Sequence, residues 1–267
     1  MYRILFGHKA DWSRTIERLL DRTMYAPEFR DFRSGAGPLE KYDCVVPFLE
    51  DDYVPLWARP AGSRRNFLIP DRAAAAIAGD KLATVSFFSA RGYGCHFPEI
   101  YESAAGYPFV YKKRTGGFGG QVEIIFSAAQ QQAFESRNDR SCCFKQRYVE
   151  GTREYTAHFV ALRGEVVFSK CYWFDFGDRY FVKGSGSAHS ATGESATPVP
   201  IMFPDMLKKL GYTGTCCFNY KIEAGQPLIF EINPRFGGSL CRDINAYLAA
   251  YLLALERMRR QSAPVPA

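Results

Sequence analysis

The sequence predicts an α+β (α/β) chain, and three observations carry that prediction. Strand and helix alternate at the start, in "MYRILFG" and "DWSRTIERLLDR". A succession of strands with tight turns fills "CCFKQRYVEGTREYTAHFVALRGEVVFSKCYWF". An antiparallel strand pair, "TGTCCFNYKI" and "LIFEINP", precedes a closing amphipathic helix. A chain of 267 residues accommodates one large domain or two to three small ones. Its 22 Phe and 16 Tyr supply a sizeable core. The net charge of +6 comes without a basic stripe, which argues against a nucleic-acid partner but suits anionic small ligands, nucleotides included. No window approaches the ~18 apolar residues of a membrane span, and the N-terminus does not read as a signal peptide. The eight cysteines form no C-x-x-C pair and read as buried free thiols of a reducing cytosol, so the expected location is cytoplasmic with no membrane partner.

The elements follow in order. Asp11 or Ser13 caps the first helix, and "EFRDF" and "YDCVVPF" are two further strands of a small α/β unit. Residues 55 to 72, rich in Pro and Arg, read as a connector. "RAAAAIAGDKLATVSFFSARG" is two helical pieces joined near Gly79, the second ended by Gly92. "YPFVYKKRTGGFGGQVEIIFS" is a strand, a glycine-rich turn and a returning strand, and "AAQQQAFESR" is a short helix. "KGSGSAHSATGESATP" is small and polar, hence a loop or lid. "PDMLKKLG" is a helix, and "EAGQP" turns the strand pair over.

Chemistry-bearing residues collect in three places. Glu231 and Asn233 interrupt an apolar strand two positions apart, so they share a face. A turn centred near Gly225 sets Asn219 opposite Glu231, giving three oxygen-bearing side chains suited to a hard cation such as Mg2+; a solvated edge strand is the plain alternative. Lys112 closes a strand just before a loop with four glycines, whose backbone N–H groups can close over phosphate oxygens. Neither a Walker loop nor the dinucleotide fingerprint occurs. The "DFG" at Asp175 to Gly177 is chance, because none of the four histidines opens an H-R-D. Taken alone, Gln146 and Glu154 read as surface polar residues. Lys170, Arg179, Lys183 and His189, near or in the polar loop, read as solvated loop charges, with a contact to phosphate or substrate as the alternative, and Arg242 either holds a substrate carboxylate or packs at the last helix.

In this order, from "GDKLAT" to "EINPRFGGSL", the clusters resemble the ATP-grasp superfamily, in particular its carboxylate–amine ligases with a carbamoyl-phosphate-synthase-like grasp domain. The resemblance implies an ATP-grasp fold of two α+β subdomains, at 79–145 and 146–267, behind a small Rossmann-like pre-ATP-grasp domain at 1–78. It implies Lys81 and Lys112 on the nucleotide phosphates, with Lys112 and Arg235 at the transferred phosphoryl group. Gly116, Gly117, Gly119 and Gly120 would form the flap over the triphosphate. Gln146 stands where relatives carry a glutamate that reads the adenine amino group, and its amide oxygen can accept the same hydrogen bond. Arg147, Tyr148 and Val149 would be the hinge against adenine, and Glu154 would hold the ribose. Asn219, Glu231 and Asn233 would bind one or two Mg2+, with Mn2+ as a substitute, and Lys221 adds a positive charge on the same face. The implied activity is ATP-dependent activation of a carboxylate as an acyl phosphate and its coupling to an amine, an amino acid or small peptide. An acyl- or carbamoyl-phosphate-forming phosphotransferase and a non-catalytic nucleotide-binding module stay open as alternatives. Small-molecule acid and amine are the expected partners, with oligomeric state open and a homodimer compatible.

Overall fold

The computed structural model describes residues 1–35, 37–102, 106–117, 122–184 and 188–261. The chain begins with β1 (Tyr2–Gly7), whose Ile4, Leu5 and Phe6 are fully buried. Helix α1 (Ala10–Leu19) crosses over to β2 (Tyr25–Arg30), and β3 (Cys44–Val46) completes a parallel sheet in the order β2-β1-β3. Parallel pairing demands such a crossover, and α1 supplies it by laying Trp12 and Ile16 into the core.

The expected connector at 55 to 72 is more ordered than its composition suggests. A short helix, α2 (Tyr53–Trp57), opens it, because Tyr53 and Leu56 find a buried surface to pack on. Next come α3 (Arg72–Gly79) and α4 (Lys81–Ser89), the two helical pieces meeting where expected. Strands β4 (Ile100–Tyr101), β5 (Phe109–Lys113), β6 (Val122–Ile125) and β7 (Cys143–Arg147) form a sheet in the order β4-β7-β5-β6, and α5 (Ala128–Arg137) packs Phe134 onto Tyr111, rings 4.4 Å apart. The glycine-rich turn joins β5 to β6.

The last sheet is antiparallel throughout. It comprises β8 (Arg153–Leu162), β9 (Glu165–Asp175), β10 (Ala191–Glu194), β11 (Gly214–Glu223) and β12 (Gln226–Asn233), in the order β10-β9-β8-β11-β12. β10 lies inside the polar text expected to be a loop; Ala191 to Glu194 pair with β9 as an edge strand, where backbone hydrogen bonds stand in for side-chain packing. On one face, Phe159 and Phe218 pack against Phe203 of α6 (Met202–Leu210). The opposite face divides along its length. Val160 and Leu162 lie with α7 (Ile244–Gln261) and the parallel sheet in one core, whereas Glu154, Thr156 and His158 on the same side of β8 line open clefts. Helix α7 buries Ile244, Tyr247, Leu248, Tyr251 and Leu255, a stripe at helical spacing, as amphipathic text requires. Tyr251 Oη accepts from Leu68 N at 2.7 Å and so ties α7 to the N-terminal unit.

Five cysteines are buried as expected, but Cys95 and Cys142 are exposed on short 3-10 turns and Cys143, the first residue of β7, is half-buried. Among the described residues no helix is long and apolar enough to cross a membrane.

Candidate active site

The β11–β12 hairpin turns at Ala224 and Gly225, both with positive φ (49° and 79°), the two-residue geometry that matches strand twist. It sets Asn219 opposite Glu231. The next pair is Tyr220 with Ile229, so Phe230 is an extra, bulged residue of β12. Lys112, at 4% exposure on β5, donates to the carbonyl of Phe230 at 3.2 Å. The bulge thus brings the two later sheets into contact at the cation. Lys81 arrives by a different device. Asp80 caps α4, accepting from Leu82 N and Ala83 N at 2.9 and 3.2 Å, and is itself fixed by Arg114 at 2.6 Å. Lys81 therefore opens the helix and directs its Nζ to Gly116 O (2.8 Å) and Glu231 Oε2 (3.3 Å).

Glu231 is the anionic centre of the group. Oε1 accepts from the amides of Asn219 (2.8 Å) and Asn233 (2.9 Å). Burial opposes its ionisation, yet Lys81, the Asn233 amide, Lys112 and Arg235 together hold the carboxyl down at about 2. Lys112 responds in the opposite sense. Burial, and then repulsion from Lys81, push its ammonium down to about 7 against the pull of Glu231 and Glu154. Arg235 donates to Asn233 Oδ1 and Phe236 O, both at 3.1 Å. A methyl group built on Gly117 would lie 3.1 Å from Arg235 Nη2 and 3.8 Å from Asn233 Oδ1, so the root of the flap sits directly over this cluster. Gly116 adopts φ of +97° there. Gly119 and Gly120 lie outside the described residues.

The remaining predicted residues line one pocket that runs from this cluster past the β7–β8 connection. Gln146 and Glu154 are both buried rather than surface polar residues, since the two sheets close over them. Gln146 Nε2 donates to Pro98 O at 2.9 Å, which leaves its amide oxygen for the pocket. Arg147 forms a two-pronged pair with Glu223 at 2.8 and 2.9 Å, and its backbone N–H goes to Glu99 O. Tyr148 Oη accepts from Phe181 N and donates to Arg179 O. Lys221 shares the face of Asn219 but serves the β7–β8 connection, bonding Val149 O at 2.8 Å and Gly151 O at 3.0 Å; burial pushes it down to about 8 despite Glu154 and Glu150. Glu154 is pushed up by burial, an effect Lys183 offsets from 3.3 Å.

Two side chains escaped the sequence reading. Lys183, expected as a solvated loop charge, reaches Glu154 and the hydroxyl of Thr156. No local signal marks it, because its position depends on the loop folding back over β8. His158 is fully buried, its Nε2 2.7 Å from Ser239 Oγ. Burial, with Lys183 and Arg235 adding to it, pushes the imidazole down to about 3, so it is neutral. The alternation Glu154, Thr156, His158 along one strand face would have found it.

A second, open cleft continues from the cluster. Asn219, Glu231 and Lys183 belong to both spaces, and Asn233 and Arg235 to the second. Its far wall comes from α1, through Trp12, Thr15 and Arg18, and from the turn at Gly238–Asp243, which carries Ser239 and Arg242.

Among the described residues there is no group of three or more His, Cys, Asp and Glu side chains arranged to hold a metal. The set here is one carboxylate with two amides, hard oxygen donors that suit an ion keeping several waters and phosphate oxygens, as Mg2+ does. Asn219 turns its N–H to Glu231 and its oxygen to the Thr156 hydroxyl at 2.9 Å. A half turn of the amide would present the oxygen instead, with the hydroxyl accepting rather than donating.

The family model of the ATP-grasp domain matches residues 78–239, well over half of the chain. The chain belongs to the ATP-grasp family, and its fold is the α+β fold of that family. No curated protein matches it by sequence. Solved structures match over nearly the whole length. The D-alanine–D-alanine ligase of Bacillus anthracis complexed with ATP superposes with a TM-score of 0.64 at 13% identity, covering 98% of this chain and 100% of that one. The L-amino acid ligase of Bacillus licheniformis gives 0.61 at 15%, over 96% and 74% of the two chains. The phosphoribosylamine–glycine ligase of Thermotoga maritima gives 0.68 at 15%, over 93% and 75%.

Proposed function

We propose that this protein is an ATP- and Mg2+-dependent ligase that activates a carboxylate as an acyl phosphate and couples it to an amine, an amino acid or small peptide. The observation that carries the proposal is the meeting of Lys81, Lys112 and Arg235 around Glu231 and Asn233, where two clefts join. One cleft is lined by Lys81, Lys112, Gln146 and Glu154, side chains suited to phosphates, a base and a ribose, and the other leads away to Trp12 and Arg18 of the N-terminal unit. Three ligase structures of the same fold support the reaction class. The units 1–78, 79–145 and 146–267 serve as acid-facing, flap-bearing and metal-bearing parts in this reading.

The chemistry asks the protein for position and charge rather than for a nucleophile. Gln146 and the Arg147–Val149 hinge hold the base, and Glu154 takes the ribose hydroxyls. Lys81, Lys112 and the N–H groups at the flap root neutralise the phosphates. Glu231, Asn233 and Asn219 would hold Mg2+, which would supply further neutralisation of the phosphate charge. A carboxylate oxygen of the acid attacks the γ-phosphorus and the bond to the ADP oxygen breaks, while Arg235 stabilises the equatorial oxygens. The amine nitrogen then attacks the acyl carbon, and phosphate leaves with the C–O bonding pair and takes up the proton that the amine gives up. Lys183 and the flap exclude water that would otherwise hydrolyse the acyl phosphate.

The test is stoichiometric. ADP should form only when an acid and an amine are both added, and mass spectrometry should find the amide. ADP formed with the acid alone, alongside a phosphorylated acid, would make the chain a phosphotransferase; nucleotide binding with no turnover over amino-acid and carboxylate pools would make it a binding module.

A further inference from the structure

We propose that His158 and Ser239 form a subsite for a carboxylate oxygen of the acid substrate, the histidine holding the serine hydroxyl as a hydrogen-bond donor aimed into the second cleft. The inference rests on the ligase reading above and adds to it the group that grips the acid.

His158 follows Glu154 and Thr156 on the cleft-facing side of β8 and is fully buried. Its Nε2 lies 2.7 Å from Ser239 Oγ, while Nδ1 is buried and has no hydrogen-bond partner among the described residues. Gly237 makes room for the ring: a Cβ there would stand 2.4 Å from Cε1 and 3.0 Å from Nδ1. A neutral imidazole has one proton to place. On Nδ1 it would be a buried N–H without an acceptor, the orphan that folded proteins tolerate least. A bare lone pair there is the lesser penalty. The proton therefore sits on Nε2 and is donated to Ser239 Oγ.

This fixes what the serine can do. Its oxygen accepts from the histidine, so its own O–H must find an acceptor elsewhere, and no other hydrogen bond of Ser239 Oγ is found among the described residues. Ser239 is only half-buried and lines the second cleft with Arg235 and Arg242. An O–H in a cleft that Arg235 and Arg242 also line fits a carboxylate oxygen. It does not fit an ammonium, which offers no acceptor.

Two measurements test the subsite. In the full chain labelled with [15N]histidine, long-range 1H–15N spectra, with His158→Gln to assign the ring, should show the proton on Nε2; a proton on Nδ1 overturns the proposal. In steady-state assays with α-amino acids and small dicarboxylic acids as the acid, Ser239→Ala should raise KM for the acid about ten- to a hundredfold and leave KM for ATP unchanged, with Ser239→Thr retaining function. Turnover in wild type with an unchanged acid KM in Ser239→Ala, or a rise confined to the amine, overturns the subsite alone. Wild type inert with every acid overturns the ligase reading and the carboxylate subsite with it, whichever nitrogen carries the proton.

Discussion

Lys112 offers the sharpest test of the charge arrangement, because its ammonium is pushed down to about 7 by burial and by Lys81. At pH 8 about nine in ten molecules of the free protein carry it neutral; at pH 6 about one in ten do. A triphosphate settling on Lys112 restores the ordinary preference for the charged form. Binding should therefore take up about 0.9 proton at pH 8 and about 0.1 at pH 6. The sign follows directly: the free form has lost the proton that the complex needs, so affinity falls as pH rises through 7. The cost at pH 8 is about 1.4 kcal/mol, or roughly tenfold in Kd between pH 6 and pH 8. Isothermal titration of Mg-ADP and a non-hydrolysable Mg-ATP analogue, in buffers of different ionisation enthalpy, reads the uptake. Lys112→Met is the control and should abolish the pH-8 uptake. Equal proton uptake in wild type and Lys112→Met would refute the assignment of Lys112 to the phosphates.

Other expected outcomes concern the metal cluster and the scaffold. Glu231→Gln removes the only carboxylate among the three proposed ligands and should lower kcat/KM at least about a hundredfold, as should Asn233→Ala, both read as Mg2+-dependent ADP formation in protein of unchanged circular dichroism. Tyr251→Phe strips the acceptor from the Leu68 N–H and should lower stability by about 1–3 kcal/mol, seen as a lower urea midpoint at constant m. Gly237→Ala drives a methyl group into His158 and should cost about 1–3 kcal/mol; adding His158→Ala should recover part of the loss, since the clash is with that ring.

What the sequence disclosed and what it hid divide along a physical line. Asn219 near Glu231 was legible from a turn placed near Gly225, but the exact pairing was not: the two-residue turn alone sets Asn219 opposite Phe230, and the Phe230 bulge moves Glu231 into that place. Lys112 was legible from the apolar strand and glycines that bracket it. Lys81 was legible only through the resemblance, since its reach to Glu231 depends on Asp80 being pinned by Arg114 from a different element. Burial of Gln146 and Glu154 depends on two sheets closing over each other, which local polarity cannot report. Lys183 and β10 were hidden for a related reason. Their text is small and polar, and their order comes from β8 and β9, their partners in space.

In the proposed ligase a nucleotide lies along the first cleft with its phosphates over β11 and β12. A crystal structure with an ATP analogue and Mg2+ addresses it most directly. The γ-phosphate should lie among Lys81, Lys112 and Arg235, with density for an ion touching Glu231 and Asn233. A nucleotide bound elsewhere, or turned so that its base rests on Glu231, would contradict it.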